Sequence, residues 1–356
     1  MNKVQLRRLL QDCQADALLC TSEINRRYMT GFLSSAGLVY ISARQAVFFT
    51  DFRYSEAARA TIKEFDVREI RSGQTYAGLA NELLTADGVK RVALEYNELT
   101  HTDFLSWAKA LHVEIVNLSE ALEKRRQVKT AYEIEQITAA QRIAEQALTD
   151  ILKEIRPGVS EKELAARLIY LMLHYGAENI SFDPIVVSGQ NSSKPHGVPT
   201  NKKIESGDFV TMDFGCIVNG YCSDMTRTVA VGYATEEMRN VYHTVLTAQL
   251  TGIAHCKAGV TGQSADAAAR KVITDAGYGQ AFGHGFGHGV GLEIHEAPTV
   301  GQRGKTLLAA GNIVTAEPGV YLPGKFGVRI EDMLTVTQDG CINLTRAPKD
   351  LLILPA

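Results

Sequence analysis

The chain has 356 residues, 45% of them hydrophobic and 22% charged, which fits a globular protein of about two domains and excludes a disordered or collagen-like chain. Its 37 Lys and Arg stand against 40 Asp and Glu, a net charge of -3, so there is no basic field to hold nucleic acid or an anionic membrane.

At the N-terminus, Arg7 and Arg8 interrupt the first apolar pattern, so no signal peptide is expected. No apolar run approaches about 20 residues, so no membrane span is expected. Cys13, Cys20, Cys216, Cys222, Cys256 and Cys341 are scattered and read as reduced thiols, which points to the cytoplasm. Val4–Gln14 has helical spacing, Ala17–Cys20 is a short apolar strand, and Gly37–Ser42 and Gln45–Phe49 are rich in strand formers. Arg53–Glu64 follows a helix pattern and Arg91–Glu95 is another strand. This alternation predicts a small mixed sheet covered by helices over residues 1–123.

Lys124–Lys129 reads as a charged break, and a second domain is expected over 124–356. Thr130 and Glu133 form a capping-box signature ahead of a helix whose Ile134, Ile137, Ala140, Ile143 and Leu148 share one side. From there the chain repeats itself. Gly158 and Gly176 recur as Gly259 and Gly277, both at an offset of 101. Gly207–Gly215 and Gly311–Gly319 match at Gly, Val, Thr, acid and Gly, at an offset of 104. Two related halves predict a site where they meet.

The repeat places Asp213 and Glu317 at equivalent positions, each followed by a second acid, Asp224 or Glu331. Two hairpins would bring the four carboxylates together, and burying them unpaired would cost too much. Only Arg329 is near in sequence, so a pair of divalent metals is the better counter-charge. His284, His288 and His295 lie within a Gly-rich stretch, and His196 lies in Lys194-Pro-His-Gly197. Carboxylates with histidine suit Mn, Fe, Co or Zn, the oxygen-rich set leaning to the harder metals. His101, His112, His174, His243 and His255 have no such context. Leu168, Leu171 and Met172 read as core.

At these residues the sequence resembles the pita-bread (M24) metallopeptidases, which include methionine aminopeptidase, aminopeptidase P and prolidase. The resemblance covers about residues 125–350 and rests on Pro195-His196-Gly197, Asp213-Phe-Gly215, Ser223-Asp-Met-Thr-Arg-Thr228, Gly287-His288-Gly289, His295-Glu296, Glu317-Pro-Gly319 and Arg329-Ile-Glu331-Asp332. Asn25–Phe32 and Thr50–Tyr54 resemble the creatinase/prolidase N-terminal domain, which favours the aminopeptidase P and prolidase branch. The implied fold is an α/β N-terminal domain followed by an α+β pita-bread domain with a pseudo-twofold repeat.

The resemblance implies two divalent metals, manganese before cobalt, zinc or iron. Asp213 would hold one, His288 and Glu317 the other, and Asp224 and Glu331 would bridge them. A hydroxide between the metals would attack the peptide carbonyl. Glu317 would also shuttle protons, and His196 and His295 would bind the substrate amide and the oxyanion. Arg329 and Tyr321 would orient the bridging carboxylates and support the transition state, and His284 would line the pocket for the residue after the scissile bond, here proline. The implied activity is cleavage of the bond before proline at the second position of peptides, with Xaa-Pro dipeptides as further substrates, by a cytoplasmic homodimer. Thr299 stands where many prolidases have Arg, which weakens a dipeptide-only reading. All five metal ligands are present, which argues against a non-catalytic binding protein or a creatinase-type enzyme.

Overall fold

The computed structural model describes residues 3–356 of the chain. Its packing divides into one unit ending at Arg126 and a second spanning Gln127–Ala356. The charged stretch at 124–129, read from sequence as a break, mostly continues the helix Ser119–Gln127. Lys124, Arg125 and Arg126 occupy its last turn, where cations offset the negative end of the helix dipole.

In the first unit six strands form one sheet, in the order Asp66–Glu69, Ala46–Thr50, Leu38–Ser42, Ala17–Cys20, Arg91–Leu94 and Glu114–Asn117. The sheet is mixed: Ala17–Cys20 pairs antiparallel with Leu38–Ser42 and parallel with Arg91–Leu94. A strand with no polar position needs cover on both faces. Leu18 packs with Phe48 and Ala93 in one core, and Leu19 packs with Tyr40 and Val92 in another. Three further helices, Glu23–Thr30, Tyr76–Asp87 and His101–Ala110, start at side-chain caps on Ser22, Thr75 and Thr100.

The second unit carries the repeat. Helices Ala131–Ile151 and Glu161–His174 in the first half correspond to Glu236–His255 and Gly262–Asp275 in the second. Gly158 N donates to Ile204 O at 2.9 Å, and Gly259 N donates to Leu308 O at 2.9 Å. The helix caps Ser160 and Thr261 bridge Lys203 and Leu307 in the same relation. Leu168, Leu171 and Met172 are buried against Val186, Val210 and Met212. Phe209–Phe214 and Met225–Val231 pair antiparallel in the first half, as Ile313–Ala316 and Asp332–Val336 do in the second.

The strand-like runs that carry the second acids are both interrupted. Tyr221–Cys222 and Met225–Val231 leave Asp224 in a gap, and Phe326–Arg329 and Asp332–Val336 leave Glu331 in one. A residue in such a gap escapes the strict alternation of a strand, so its side chain can turn toward a shared point. The halves are tied there directly: Glu331 N donates to Thr226 O at 3.1 Å.

Candidate metal centre and catalytic cavity

A cavity of about 590 Å³ opens in the second unit, lined from both halves. The first half contributes His196, Asp213 and Asp224, and the second contributes His284, His288, His295, Glu317, Arg329 and Glu331. Phe182, Pro184 and Ile185 add an apolar wall that sequence reasoning did not single out. Thr299 lines the cavity as well.

Ligand atoms of Asp224, His288 and Glu331 all lie within 4.8 Å of one another. His288 Nε2 is 3.5 Å from Asp224 Oδ2 and 3.4 Å from Glu317 Oε1. Asp213 sits across the cluster, its Oδ2 accepting from Arg329 Nη2 at 2.5 Å. Four carboxylates thus face one guanidinium. Burial, reinforced by the neighbouring carboxylates, pushes Asp224 and Glu331 well above the usual carboxylate range. Burial and Asp213 outweigh Arg329 at Glu317, whose carboxyl rises to about 8. Burial alone would lower the pKa of Arg329, but Tyr321 and the surrounding acids raise it.

The Oδ1 atoms of Asp213 and Asp224 are buried without a hydrogen-bond partner. A buried, unpaired carboxylate oxygen is costly unless a cation meets it. Four oxygen donors plus one imidazole form a set that divalent metal ions fit. Burial also lowers His288 to about 4, which keeps its ring neutral and able to ligate.

Behind the acids lies a chain of oriented donors. Arg329 Nη1 donates to the Tyr321 hydroxyl at 2.8 Å, and that hydroxyl lies 2.9 Å from His284 Nε2. Tyr321 is buried and does not itself line the cavity. Burial pushes its phenol to about 12, so it stays a neutral hydroxyl. Burial, with Arg329 nearby, lowers His284 to about 4. Arg329 Nε donates to Thr226 Oγ1 at 3.0 Å, and Thr226 Oγ1 donates to Glu331 Oε2 at 2.7 Å. Thr315 Oγ1 accepts from His288 N at 3.1 Å and donates to Glu317 Oε1 at 3.4 Å. Neither threonine was singled out from sequence. Thr226 stands inside the 223–228 motif, and Thr315 stands two residues before Glu317, the spacing that shares a strand face.

His196 and His295 are exposed at the cavity, and the His295 ring packs edge-on against His288 at 4.3 Å. His101, His112, His174, His243 and His255 do not line it. Cys216 and Cys222 are free thiols; burial pushes both to about 12. No described helix is long and apolar enough to cross a membrane.

Residues 135–338 match metallopeptidase family M24, and residues 4–128 match the creatinase/prolidase N-terminal domain. The chain is 44% identical to the uncharacterized peptidase YqhT of Bacillus subtilis, over 99% of this chain and 100% of that protein. The structure of a Xaa-Pro dipeptidase from Bacillus anthracis superposes with a TM-score of 0.94 at 44% identity, covering 99% of this chain and 98% of the other. An X-Pro aminopeptidase from Thermotoga maritima gives 0.92 at 36% identity, with coverage of 97% and 99%.

Proposed function

The chain belongs to metallopeptidase family M24, and on that premise we propose that it is a dinuclear-metal exopeptidase that cleaves the bond before a proline in second position. The observation that carries this reading is the pair of orphaned, buried carboxylate oxygens of Asp213 and Asp224 within a cluster of four acids and one histidine.

Asp213 would hold one metal through its unpaired Oδ1, while its Oδ2 stays with Arg329. His288 and Glu317 would hold the second, and Asp224 and Glu331 would bridge both. When bound, the two metals lower the pKa of a water nucleophile and stabilise developing negative charge. The remaining work falls to side chains. His196 and His295 reach into the cavity, where they would hydrogen-bond the substrate amide and the oxyanion that forms. Glu317 would take the proton released on attack and pass it to the leaving nitrogen. Arg329 fixes Asp213, and through Thr226 it fixes Glu331 as well. His284, held by Tyr321, would line the pocket for the pyrrolidine ring, with Phe182, Pro184 and Ile185 as the apolar wall. A bond to proline has no N–H, so a pocket that asks for none accepts it.

The oxygen-rich donor set favours manganese, with cobalt, zinc or iron as replacements. Free thiols and the absence of a basic field support a cytoplasmic peptide-processing enzyme, which we read as a homodimer. The structural similarity to a Xaa-Pro dipeptidase at 44% identity favours a second reading, in which dipeptides are the main substrate.

One incubation distinguishes these readings. Mn-loaded protein is given Ala-Pro, Ala-Pro-Ala and Met-Ala-Ser, and the products are weighed by mass spectrometry. Cleavage of both proline substrates with Met-Ala-Ser spared supports the first reading. Cleavage of Ala-Pro alone supports the second. Cleavage of Met-Ala-Ser alone, or none with Mn, Co or Zn, overturns both.

A further inference from the structure

One buried acid has no place in the chemistry above. Glu161 is the first residue of the helix Glu161–His174, is 0% exposed, and does not line the cavity. Its two oxygens bind opposite ends of one loop. Oε1 accepts from Ser188 N at 2.7 Å, Ser188 Oγ at 3.0 Å and Asn191 Nδ2 at 3.2 Å. Oε2 accepts from Thr200 N at 2.9 Å, Thr200 Oγ1 at 2.6 Å and Asn191 Nδ2 at 3.2 Å. A buried carboxylate is tolerable here because several donors and the positive end of its own helix meet its charge.

Between Ser188 and Thr200 the loop carries Pro195, His196 and Gly197 into the cavity. Its far side touches the wall at two points only indirectly related to Glu161. Gly327 N donates to Ser192 Oγ at 2.8 Å, and Arg329 Nη1 donates to Pro195 O at 3.2 Å. The wall contacts set how closely the loop approaches Arg329, and the carboxylate sets where the loop leaves and rejoins the scaffold. His196 itself is exposed and its ring makes no hydrogen bond among the described residues, so its place depends on the backbone beneath it.

We propose that Glu161 is a positioning residue for His196, a single carboxylate that closes the base of the 188–200 loop and so fixes that histidine over the metal centre. The inference rests on the role given to His196 above. It also assigns a use to an acid that needs charge and two acceptor oxygens, not merely polarity. In Glu161→Gln the amide group must turn its NH2 toward one loop end. It then faces the N–H of Ser188 or of Thr200, donor against donor, and that end is released.

The test uses the full, Mn-loaded chain, with Ala-Pro-Ala as substrate and metal content measured for every variant. Glu161→Gln, His196→Ala and the double variant are compared by kcat and KM. A displacement of about 1 Å at a reacting group costs up to about 100-fold in rate, so Glu161→Gln is expected to lower kcat/KM by about 10- to 100-fold at unchanged metal content. The double variant is expected to match His196→Ala alone within about twofold, because the carboxylate acts through that histidine. A double variant whose loss is the product of the single losses overturns the inference, as does full activity in Glu161→Gln. If His196→Ala alone is fully active, the histidine's role fails first and the positioning role goes with it. Should Glu161→Gln not fold, Thr200→Val removes one donor to Oε2 and enters the same cycle, with an expected loss of about threefold that vanishes in the His196→Ala background.

Discussion

Thr226 and Glu331 are 105 residues apart in sequence, yet the Thr226 hydroxyl donates to Glu331 Oε2 at 2.7 Å and the Glu331 amide donates to Thr226 O at 3.1 Å. This double tie joins the two halves of the repeat at the centre of the acid cluster. It fixes which Glu331 oxygen faces the scaffold and which faces the cavity. The hydroxyl can do this because it also accepts from Arg329 Nε, which settles the direction of its own proton.

Thr226→Val keeps the shape and removes the hydroxyl. Glu331 then loses its orienting donor and Arg329 Nε loses its acceptor. Loss of such an outer partner commonly costs about 10- to 100-fold in metal affinity or activity. We expect the Mn dissociation constant, measured by calorimetric titration of metal-free protein, to rise by that factor. An unchanged constant would show that Glu331 is oriented by its backbone tie alone.

Removing metal should destabilise the protein. Four carboxylates share the cavity with one guanidinium, and a divalent cation relieves both their repulsion and the orphaned oxygens of Asp213 and Asp224. A ligand at 100 times its dissociation constant contributes about 2.7 kcal/mol. For a domain of this size that corresponds to a rise in Tm of about 5–10 °C. Thermal melts with and without Mn, after dialysis against chelator, check this. Melts that coincide with Mn, Co and Zn alike would remove the metal centre from the account.

Tyr321→Phe separates orientation from ligation. Its hydroxyl accepts from Arg329 Nη1 and meets His284 Nε2, but touches no carboxylate of the cluster. Metal content should therefore be unchanged while kcat falls by about tenfold or more, with KM moved less. Metal analysis beside steady-state kinetics reads both. Loss of bound metal in this variant would place Tyr321 in the support of the ligands instead.

Much of this site can be read from the chain because the repeat marks it. Asp213 and Glu317 share an offset of 104, and the helix caps Ser160 and Thr261 share an offset of 101, so duplicated backbone geometry leaves duplicated residues. The strand breaks at Asp224 and Glu331 are not visible this way, because Met225–Val231 and Asp332–Val336 continue the same apolar composition across the gap. Contacts made by hydroxyls are harder still. Thr226, Thr315 and the six bonds of Glu161 depend on partners that only folding brings near. In the first unit, His101–Ala110 buries no residue fully; Phe104 and Trp107 pack only partly against the core, a stripe too short to announce a helix without the Thr100 cap.

The capping box of the helix Glu161–His174 gives a prediction in pH. Glu163 Oε2 accepts from Ser160 N at 2.7 Å, from Ser160 Oγ at 2.7 Å and from Lys203 Nζ at 3.1 Å. The Ser160 hydroxyl first, then the Ser160 amide and Lys203, lower its carboxyl from the ordinary 4.5 to about 2. A group whose folded pKa is depressed stabilises the fold fully above its unfolded value and loses that contribution as pH falls through the folded one. Glu163→Gln can still cap but carries no charge. The gap in stability between the native chain and Glu163→Gln should therefore be widest above about pH 5 and close steadily toward pH 2. Urea unfolding of both proteins between pH 2.5 and 6 measures it. Because both variants lose metal alike in acid, subtraction isolates the cap, and a gap that stays constant across the range would mean that the charge contributes nothing there.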